Sequence, residues 1–143
     1  LGAELTIDHT RQDFAGVIEE TWGGVDVILD IVGADYVARN LSSLRTQGRM
    51  VLIATLSGGV ATVDLTKMMQ NRLRLVGSVL RARSDSEKAK ITAGFTSHFL
   101  PMCCKVQLKP VIDRTFPIRA VQEAHTVVEH FQNVGKVVMS VLG

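Results

Sequence analysis

Glycines at the ends of apolar stretches are the residues of this sequence best suited to let a ligand approach the backbone. Gly33 ends the stretch VDVILDIVG at Val25–Gly33, and Gly58, Gly59 and Gly77 follow or end later apolar stretches. A residue without a side chain leaves room for a ligand beside the main chain. Such a glycine can equally well serve only to turn the chain out of a sheet, and the sequence leaves both interpretations open.

Basic residues stand at three comparable places. Arg81 and Arg83 directly follow the apolar stretch Leu73–Leu80, and Lys136 lies where a loop enters the last apolar stretch. Cationic groups at such positions would suit a phosphate or a carboxylate. A solvated basic edge explains the same three residues, so this interpretation also stays open.

No arrangement typical of metal binding or hydrolysis is present in the sequence. Cys103 and Cys104 are adjacent and have no nearby partner for a zinc site. The histidines lack metal-ligand spacing; they are His9, His98, His125 and His130. The glycine-rich loop G-x-G-x-x-G, which cradles the pyrophosphate of a dinucleotide, is absent. We therefore predict no metal site and no catalytic residue in this chain.

The composition limits the classes of partner. A formal net charge of +2, scattered basic residues and 5% aromatic residues argue against nucleic-acid binding. No apolar run reaches the roughly 20 residues needed to cross a bilayer, so we expect no membrane span. Adjacent cysteines cannot form a disulfide framework, which predicts a reducing, cytoplasmic setting.

Strand and helix signals alternate along the chain and would position these residues. Short apolar stretches predict strands at Leu5–Asp8, Val25–Gly33, Arg49–Leu56, Leu73–Leu80, Val111–Phe116 and Lys136–Val141. Amphipathic spacing predicts helices at Phe14–Trp22, Tyr36–Leu44, Val63–Asn71, Asp85–Leu100 and Arg119–Phe131. The predicted N-caps are Asp13, Asp35 and Ser84, the last in a capping box with Glu87, and Pro101 is expected to close the fourth helix. This alternation predicts an α/β fold with a doubly wound parallel sheet, whose ligands bind beyond the carboxyl ends of the strands.

Five segments of the chain carry a family resemblance. They read GVDVILDIVG, LSSLRTQGRMVLIATLSGG, LVGSVLRARS, KPVIDRTFPIRAVQEAH and NVGKVVMSVL. In this order and spacing they resemble the carboxyl-terminal part of a zinc-free quinone oxidoreductase, from the zeta-crystallin-like branch of the medium-chain dehydrogenase/reductases. The resemblance implies a partial Rossmann domain at residues 1–109 that lacks its first two strands. It also implies a strand–helix–strand segment at residues 110–143 that would return to a catalytic domain.

The missing first strand would lie beside Val25–Gly33 in a complete Rossmann sheet. The resemblance therefore implies that this strand has lost its neighbour on one side. We expect it to be covered by another subunit, by a rearranged strand or by the tail after Pro110.

The resemblance also implies which residues would contact NADPH. His9 falls where the family contacts the adenosine end of the cofactor, although an exposed histidine at a strand end remains an alternative. The other predicted contacts are loop residues and the basic groups described above, namely Val32, Gly33, Ala34, Ala54, Thr55, Leu56, Ser57, Ser78, Val79, Leu80, Arg81, Arg83 and Lys136.

The activity implied by the resemblance is transfer of hydride or electrons from NADPH to a quinone or another α,β-unsaturated carbonyl. A homodimer would form by pairing of Leu73–Leu80 with its copy. Because the chain begins at Leu1 rather than at a methionine, we expect a piece of a longer protein. Because the glycine-rich loop is missing, we expect this piece to be inactive alone. The alternatives are a non-catalytic association module and an enoyl-thioester reductase of the same superfamily. An S-adenosylmethionine methyltransferase is a third alternative, which the tail motifs disfavour.

Overall fold

A computed structural model describes residues 2–105 and 108–141. The chain divides into two compact units, Leu1–Arg83 and Ser84–Gly143. Both units combine helices with parallel strands, which confirms the α/β class predicted from the sequence. The predicted division at residues 109 and 110 concerns the domains of a longer relative, and it stays a prediction.

The first unit contains a parallel sheet and three helices among its described residues. Its elements are α1 (Phe14–Trp22), β1 (Val25–Asp30), α2 (Ala34–Ser42), β2 (Leu44–Leu52), α3 (Leu65–Gln70) and β3 (Arg74–Gly77). The strands lie in the order β1-β2-β3, and Met50 of β2 pairs with Ile28 on one side and Leu75 on the other. Parallel strands bring their carboxyl ends to one edge of the sheet.

Local sequence explains where α1 begins and ends. Asp13 accepts hydrogen bonds from the N–H groups of Ala15 and Gly16, and Gly23 ends the helix with a φ of 62°. A carboxylate N-cap and a left-handed glycine are the usual signals for these two positions. The predicted bounds and cap of this helix are confirmed.

A small apolar core holds α2 and α3 against the sheet. Its buried side chains are those of Val37, Leu41, Leu44, Met50 and Leu73. Met50, near the carboxyl end of β2, is completely buried. Because β2 is the middle strand, this core holds in place the strand to which β1 and β3, and therefore the loops after them, are attached.

The start of the chain does not form the predicted strand. Leu5–Asp8 has no strand pattern, and the Asp8 carboxylate instead accepts the N–H of Thr10 at 3.0 Å in a local turn. A strand requires a neighbour that pairs with its N–H and C=O groups. In the described residues the sheet ends at β1, and Leu5–Asp8 pairs with no strand.

The boundary between α2 and β2 also differs from the prediction. Gly33 is the N-cap of α2, and Asp35 lies in the first turn of the helix rather than at its cap. Leu44 was predicted to end α2 but begins β2, where it pairs with Val25. Leu44 continues the apolar spacing of Leu41, so the pattern could not separate a last helical residue from a first buried strand residue.

The outer edge of β1 is not paired with any strand in the described part of the chain. Val27 is 49% exposed and Leu29 is 67% exposed. No rearranged strand of the first unit pairs with this edge in the described residues, and coverage by the tail after Pro110 stays a prediction. Coverage by another subunit stays a prediction.

The second unit begins with two consecutive helices and continues into a strand–helix–strand segment. Its elements are α4 (Asp85–His98), α5 (Leu100–Cys104), β4 (Ile112–Pro117), a 3-10 turn (Ile118–Ala120), α6 (Val121–Glu129) and β5 (Lys136–Ser140). The predicted capping box of Ser84 and Glu87 is confirmed at the start of α4. Pro101 does not close that helix; it lies in the first turn of α5, where proline is tolerated because its missing N–H is not needed.

A polar clamp joins β4 to the turn before β5, and it accounts for part of the tail motif. The Asp113 carboxylate accepts the N–H of Val134 at 3.3 Å, and Arg114 donates to the Gln132 carbonyl at 3.2 Å. Gly135 has a φ of 115°, and a Cβ there would lie 2.6 Å from the Val111 carbonyl oxygen. The ID-R and N-GK signatures therefore keep β4 and β5 in register.

Candidate cofactor-binding crevice

The strands end sooner than the sequence predicted. β1 ends at Asp30, β2 at Leu52 and β3 at Gly77. As a result, most of the predicted cofactor contacts of the first unit lie in the loops that follow these three strands. Because the strands are parallel, the three loops share one edge of the sheet.

The loops after β1 and β2 are joined by backbone hydrogen bonds. Leu56 donates its N–H to the Ile31 carbonyl at 3.3 Å, and Ser57 donates its N–H to the Val32 carbonyl at 2.8 Å. These bonds continue the strand pairing beyond the end of the sheet. The structure therefore brings Val32, Leu56 and Ser57 together, as the sequence predicted for one crevice.

Gly33 lies at the closest approach of these two loops. Its φ is 89°, and a Cβ atom there would lie 2.8 Å from the Gly58 carbonyl oxygen and 2.9 Å from the Thr55 Cα atom. Side chains rarely adopt such a conformation, and neither neighbour is a flexible side-chain end. The packing of one loop on the other accounts for this glycine without any ligand.

The Ser57 hydroxyl also connects the two loops. It donates to the Val32 carbonyl at 2.9 Å and accepts the N–H of Asp35 at 3.1 Å. The donor capacity of the hydroxyl is thus used within the protein. The sequence singled out Ser57 as a cofactor contact but contained no signal of this bridging role.

The amino terminus of α2 has little capacity left for an anion. Ala34 donates its N–H to the Gly58 carbonyl at 3.1 Å, Asp35 donates to Ser57, and Val37 donates to the Gly33 carbonyl at 3.1 Å. Helix amino termini bind phosphates through N–H groups that have no internal partner. At α2 these groups already have partners, so this helix offers no free phosphate cradle.

The third loop, after β3, begins by extending the sheet. Ser78 donates its N–H to the Leu52 carbonyl at 2.9 Å, whereas Val79 and Leu80 are exposed beyond it. The Arg83 guanidinium donates to the Ser78 hydroxyl at 3.4 Å, so it lies back against its own loop. Arg81 is exposed.

A cleft of about 260 Å³ lies beside the end of β1, and the predicted residue His9 forms part of its wall. The His9 ring meets the edge of the Tyr36 ring, with 6.0 Å between centroids, and Tyr36 packs against Phe14 at 5.0 Å. The Arg39 guanidinium lies 4.6 Å above the Tyr36 ring. Tyr36 and Phe14 were predicted only as apolar helix residues, so their place in this cleft was missed. Tyr36 and Arg39 are three residues apart and so share one face of α2, and this spacing could have predicted their contact.

Asp8, which directly precedes His9 in the chain, has a pKa below its usual value. The Thr10 hydroxyl and the Thr10 N–H both donate to its carboxylate, and these bonds stabilise the charged form. Asp8 therefore remains ionised next to His9.

Lys136 belongs to the second unit, whereas the other predicted contacts belong to the first. Its backbone N–H donates to the Val111 carbonyl at 2.8 Å, and its side chain is exposed. The residue helps to start β5. A contact between its ammonium group and a cofactor stays a prediction.

Two further features of the described residues bear on the prediction of no metal site and no membrane span. Among residues 2–105 and 108–141, no three or more His, Cys, Asp or Glu side chains are grouped so that they could hold a metal ion. No helix in that part of the chain is both long and apolar enough to cross a membrane.

Comparison with known proteins assigns the fold to a family. A family model described as zinc-binding dehydrogenase matches residues 1–139. The chain belongs to this family. The match agrees with the tail motifs in disfavouring a methyltransferase.

Curated relatives of the chain include reductases and quinone oxidoreductases. The chain is 30% identical to 2-haloacrylate reductase of a Burkholderia species, over 97% of its own length and 42% of that protein. It is 25% identical to quinone oxidoreductase-like protein 2 of Bos taurus, over 97% of its length and 40% of that protein. The chain therefore spans about two fifths of the length of these relatives.

Solved structures show the same fold over nearly the whole chain. A mycobacterial quinone oxidoreductase is 26% identical, with a TM-score of 0.73 over 96% of this chain and 43% of the other. A quinone oxidoreductase of Pseudomonas syringae has a TM-score of 0.78 at 22% identity, over 96% of this chain and 43% of the other. Together with the family match, these similarities confirm the predicted resemblance of the chain to part of the medium-chain quinone oxidoreductases.

Proposed function

We propose that this chain forms part of the cofactor wall of an NADPH-dependent quinone oxidoreductase. The observation that carries the proposal is the edge of the sheet where the loops after β1 and β2 are joined around Gly33. Ligands of open parallel sheets bind at this edge. When bound, the nicotinamide cofactor supplies the hydride or electrons. The residues of the chain supply a rigid surface against which it would be oriented.

The cleft beside His9 fits the adenosine end of such a cofactor. It is lined mainly by apolar and aromatic side chains, among them Ile28 and Tyr36, with the His9 imidazole at its wall. A flat base can pack against such surfaces, while the imidazole can hydrogen-bond a ribose or a phosphate. These contacts support a role for His9 in cofactor binding.

The described residues fit the phosphates of the cofactor poorly. The N–H groups at the start of α2 are already bonded, and the sequence contains no glycine-rich phosphate loop. We therefore infer that the isolated chain binds NADPH weakly and has no turnover. Arg81, with its exposed side chain, could still assist a phosphate held elsewhere.

Titration calorimetry with the isolated chain tests this part of the proposal. We expect a dissociation constant for NADPH weaker than about 1 mM. Weak binding at the proposed wall should still change the NMR signals of the Gly33, Thr55 and Ser78 amides, and AMP alone should affect mainly the His9 cleft. Tight NADPH binding would contradict the inferred lack of a phosphate site. The absence of any NADPH effect at these amides would contradict the cofactor wall itself.

The proposed substrate is a quinone or another α,β-unsaturated carbonyl compound. Two of the relatives support this class by name, since a 2-haloacrylate carries a C=C bond conjugated to a carboxylate and a quinone carries conjugated carbonyls. An enoyl-thioester reductase is a second candidate, because an enoyl thioester presents the same conjugated bond to a hydride.

A chimera can distinguish these substrates. In it, the chain would replace the matching segment of the Burkholderia 2-haloacrylate reductase. NADPH oxidation would then be measured with a quinone, a 2-haloacrylate and an enoyl thioester, and with NADH in place of NADPH. We expect activity with the quinone or the haloacrylate. Loss of NADPH oxidation with all three substrates, in a chimera that folds, would contradict the enzyme proposal.

We also propose a homodimer formed through β3. In the described residues β3 is the outer strand on its side of the sheet, and its residues are exposed. An unpaired strand edge can pair with a second copy through backbone hydrogen bonds. If the chain forms this dimer but the chimera shows no NADPH oxidation, the association module becomes the better description.

A further inference from the structure

Asp30 is a buried carboxylate at the end of β1, where it also lines the cleft beside His9. The residue is only 2% exposed. Its carboxylate accepts the N–H of Val32 at 2.7 Å and the N–H of Gly33 at 3.2 Å. Burial of a charged group is costly unless hydrogen bonds compensate for it. The folded state therefore strongly favours a loop conformation that brings these two N–H groups to the carboxylate.

The main chain of Asp30 is bonded to the neighbouring strand. Its carbonyl accepts the N–H of Ile53 at 2.9 Å, at the point where the loop after β2 begins. One residue thus holds its own loop through the side chain and the neighbouring loop through the main chain. Gly33, held in this way, packs directly on Thr55.

We propose that Asp30 is a positioning residue for the cofactor site. It acts through Gly33 and Thr55, by giving the two loops their relative position before the cofactor binds. This inference rests on the proposed cofactor wall, since the positioned loops are the surface that NADPH would contact. A pre-ordered surface binds a ligand better because less conformational freedom is lost on binding.

The substitution Asp30→Asn tests this inference with little change in shape. The amide keeps the oxygen that accepts Val32 at 2.7 Å and Gly33 at 3.4 Å, but it presents an NH2 group where the second oxygen accepts Gly33 at 3.2 Å. The shorter contact of the Gly33 N–H is therefore lost, and only the longer one remains. Asp26→Asn is the matched control. It removes a carboxylate from the same strand, but from an exposed side chain that pairs with Arg45 at 3.2 Å.

The first measurement is amide hydrogen exchange without cofactor. We expect Asp30→Asn to speed exchange at Val32, Gly33 and Ser57 by about tenfold. Exchange at Met50, in the core of the sheet, should remain as in the wild type, because the effect is local. Asp26→Asn should change none of these rates. Equal acceleration at Met50 would indicate a general loss of stability and would overturn the positioning role.

The second measurement is the NMR response to NADPH. In the wild type, NADPH should shift the Gly33 and Thr55 amides, and the same concentration should cause smaller shifts in Asp30→Asn. If exchange is unchanged by Asp30→Asn, or if the two proteins respond equally to NADPH, the inference about Asp30 is wrong. If the wild type does not respond at all, the proposed cofactor wall fails and the positioning role fails with it.

Discussion

Gly33 lies so close to Thr55 that a Cβ atom on the glycine would be 2.9 Å from the Thr55 Cα atom. The same Cβ atom would lie 2.8 Å from the carbonyl oxygen of Gly58. Both neighbours are backbone atoms of one loop, so they cannot move aside as the end of a side chain could. The contact makes the loops after β1 and β2 a single packed surface.

Gly33→Ala is expected to destabilise the fold by about 2–4 kcal/mol, because it combines an unfavourable φ with a steric clash. Chemical denaturation would measure the loss in the free energy of unfolding. Gly59→Ala is the control, since a Cβ at Gly59 meets nothing within 4 Å. A change of more than about 1 kcal/mol in the control, or none in Gly33→Ala, would contradict this account of the contact.

Ser57→Ala is expected to reduce the free energy of unfolding by about 1–2 kcal/mol. The hydroxyl bonds to the Val32 carbonyl and to the N–H of Asp35, and the alanine variant leaves both without this partner. Ser57→Thr keeps the hydroxyl and should lose less. The comparison by urea unfolding would count against a bridging role if the threonine variant were as unstable as the alanine variant.

Features that depend on neighbouring residues could be predicted from the sequence. The Asp13 cap, the bounds of α1 and the capping box of Ser84 with Glu87 each involve residues within a few positions, and each was predicted correctly. The strand predicted at Leu5–Asp8 failed because strand formation depends on a partner elsewhere in the sheet.

The candidate site shows the same limit. Alternation of strands and helices predicted which loops would share an edge. It could not predict that the Ser57 hydroxyl bridges Val32 and Asp35, or that Asp30 would be buried under its own loop. Those bonds depend on side-chain directions in segments that meet only in the folded chain.

Asp113→Asn is expected to make the fold less stable near neutral pH but to have a smaller effect in acid. The Arg114 guanidinium and the N–H of Val134 hold the pKa of Asp113 below its usual value. A carboxyl group whose pKa is lower in the folded state stabilises the fold above its unfolded pKa of about 3.9, and this contribution is lost as the pH falls through the folded pKa.

The measurement is the urea midpoint of the wild type and of Asp113→Asn at about pH 6 and about pH 2. The other carboxyl groups, including Asp8 with its own lowered pKa, titrate in both proteins, so the difference between the proteins isolates Asp113. We expect that difference to shrink at the lower pH. An equal difference at both values would mean that the charge of Asp113 does not stabilise the clamp.

Gly77→Pro is expected to convert the proposed dimer into monomers without breaking the sheet of either copy. Ser78 donates its N–H to Leu52 in β2, and alternate residues of a strand direct their N–H groups to opposite sides. The N–H of Gly77 therefore faces away from β2, toward the edge where a second copy would pair. Proline removes that donor and places its ring there.

Gly77→Ala keeps the N–H, and its Cβ meets nothing within 4 Å, so this control should remain a dimer. Sedimentation equilibrium would decide: a dimeric proline variant would show that β3 is not the interface.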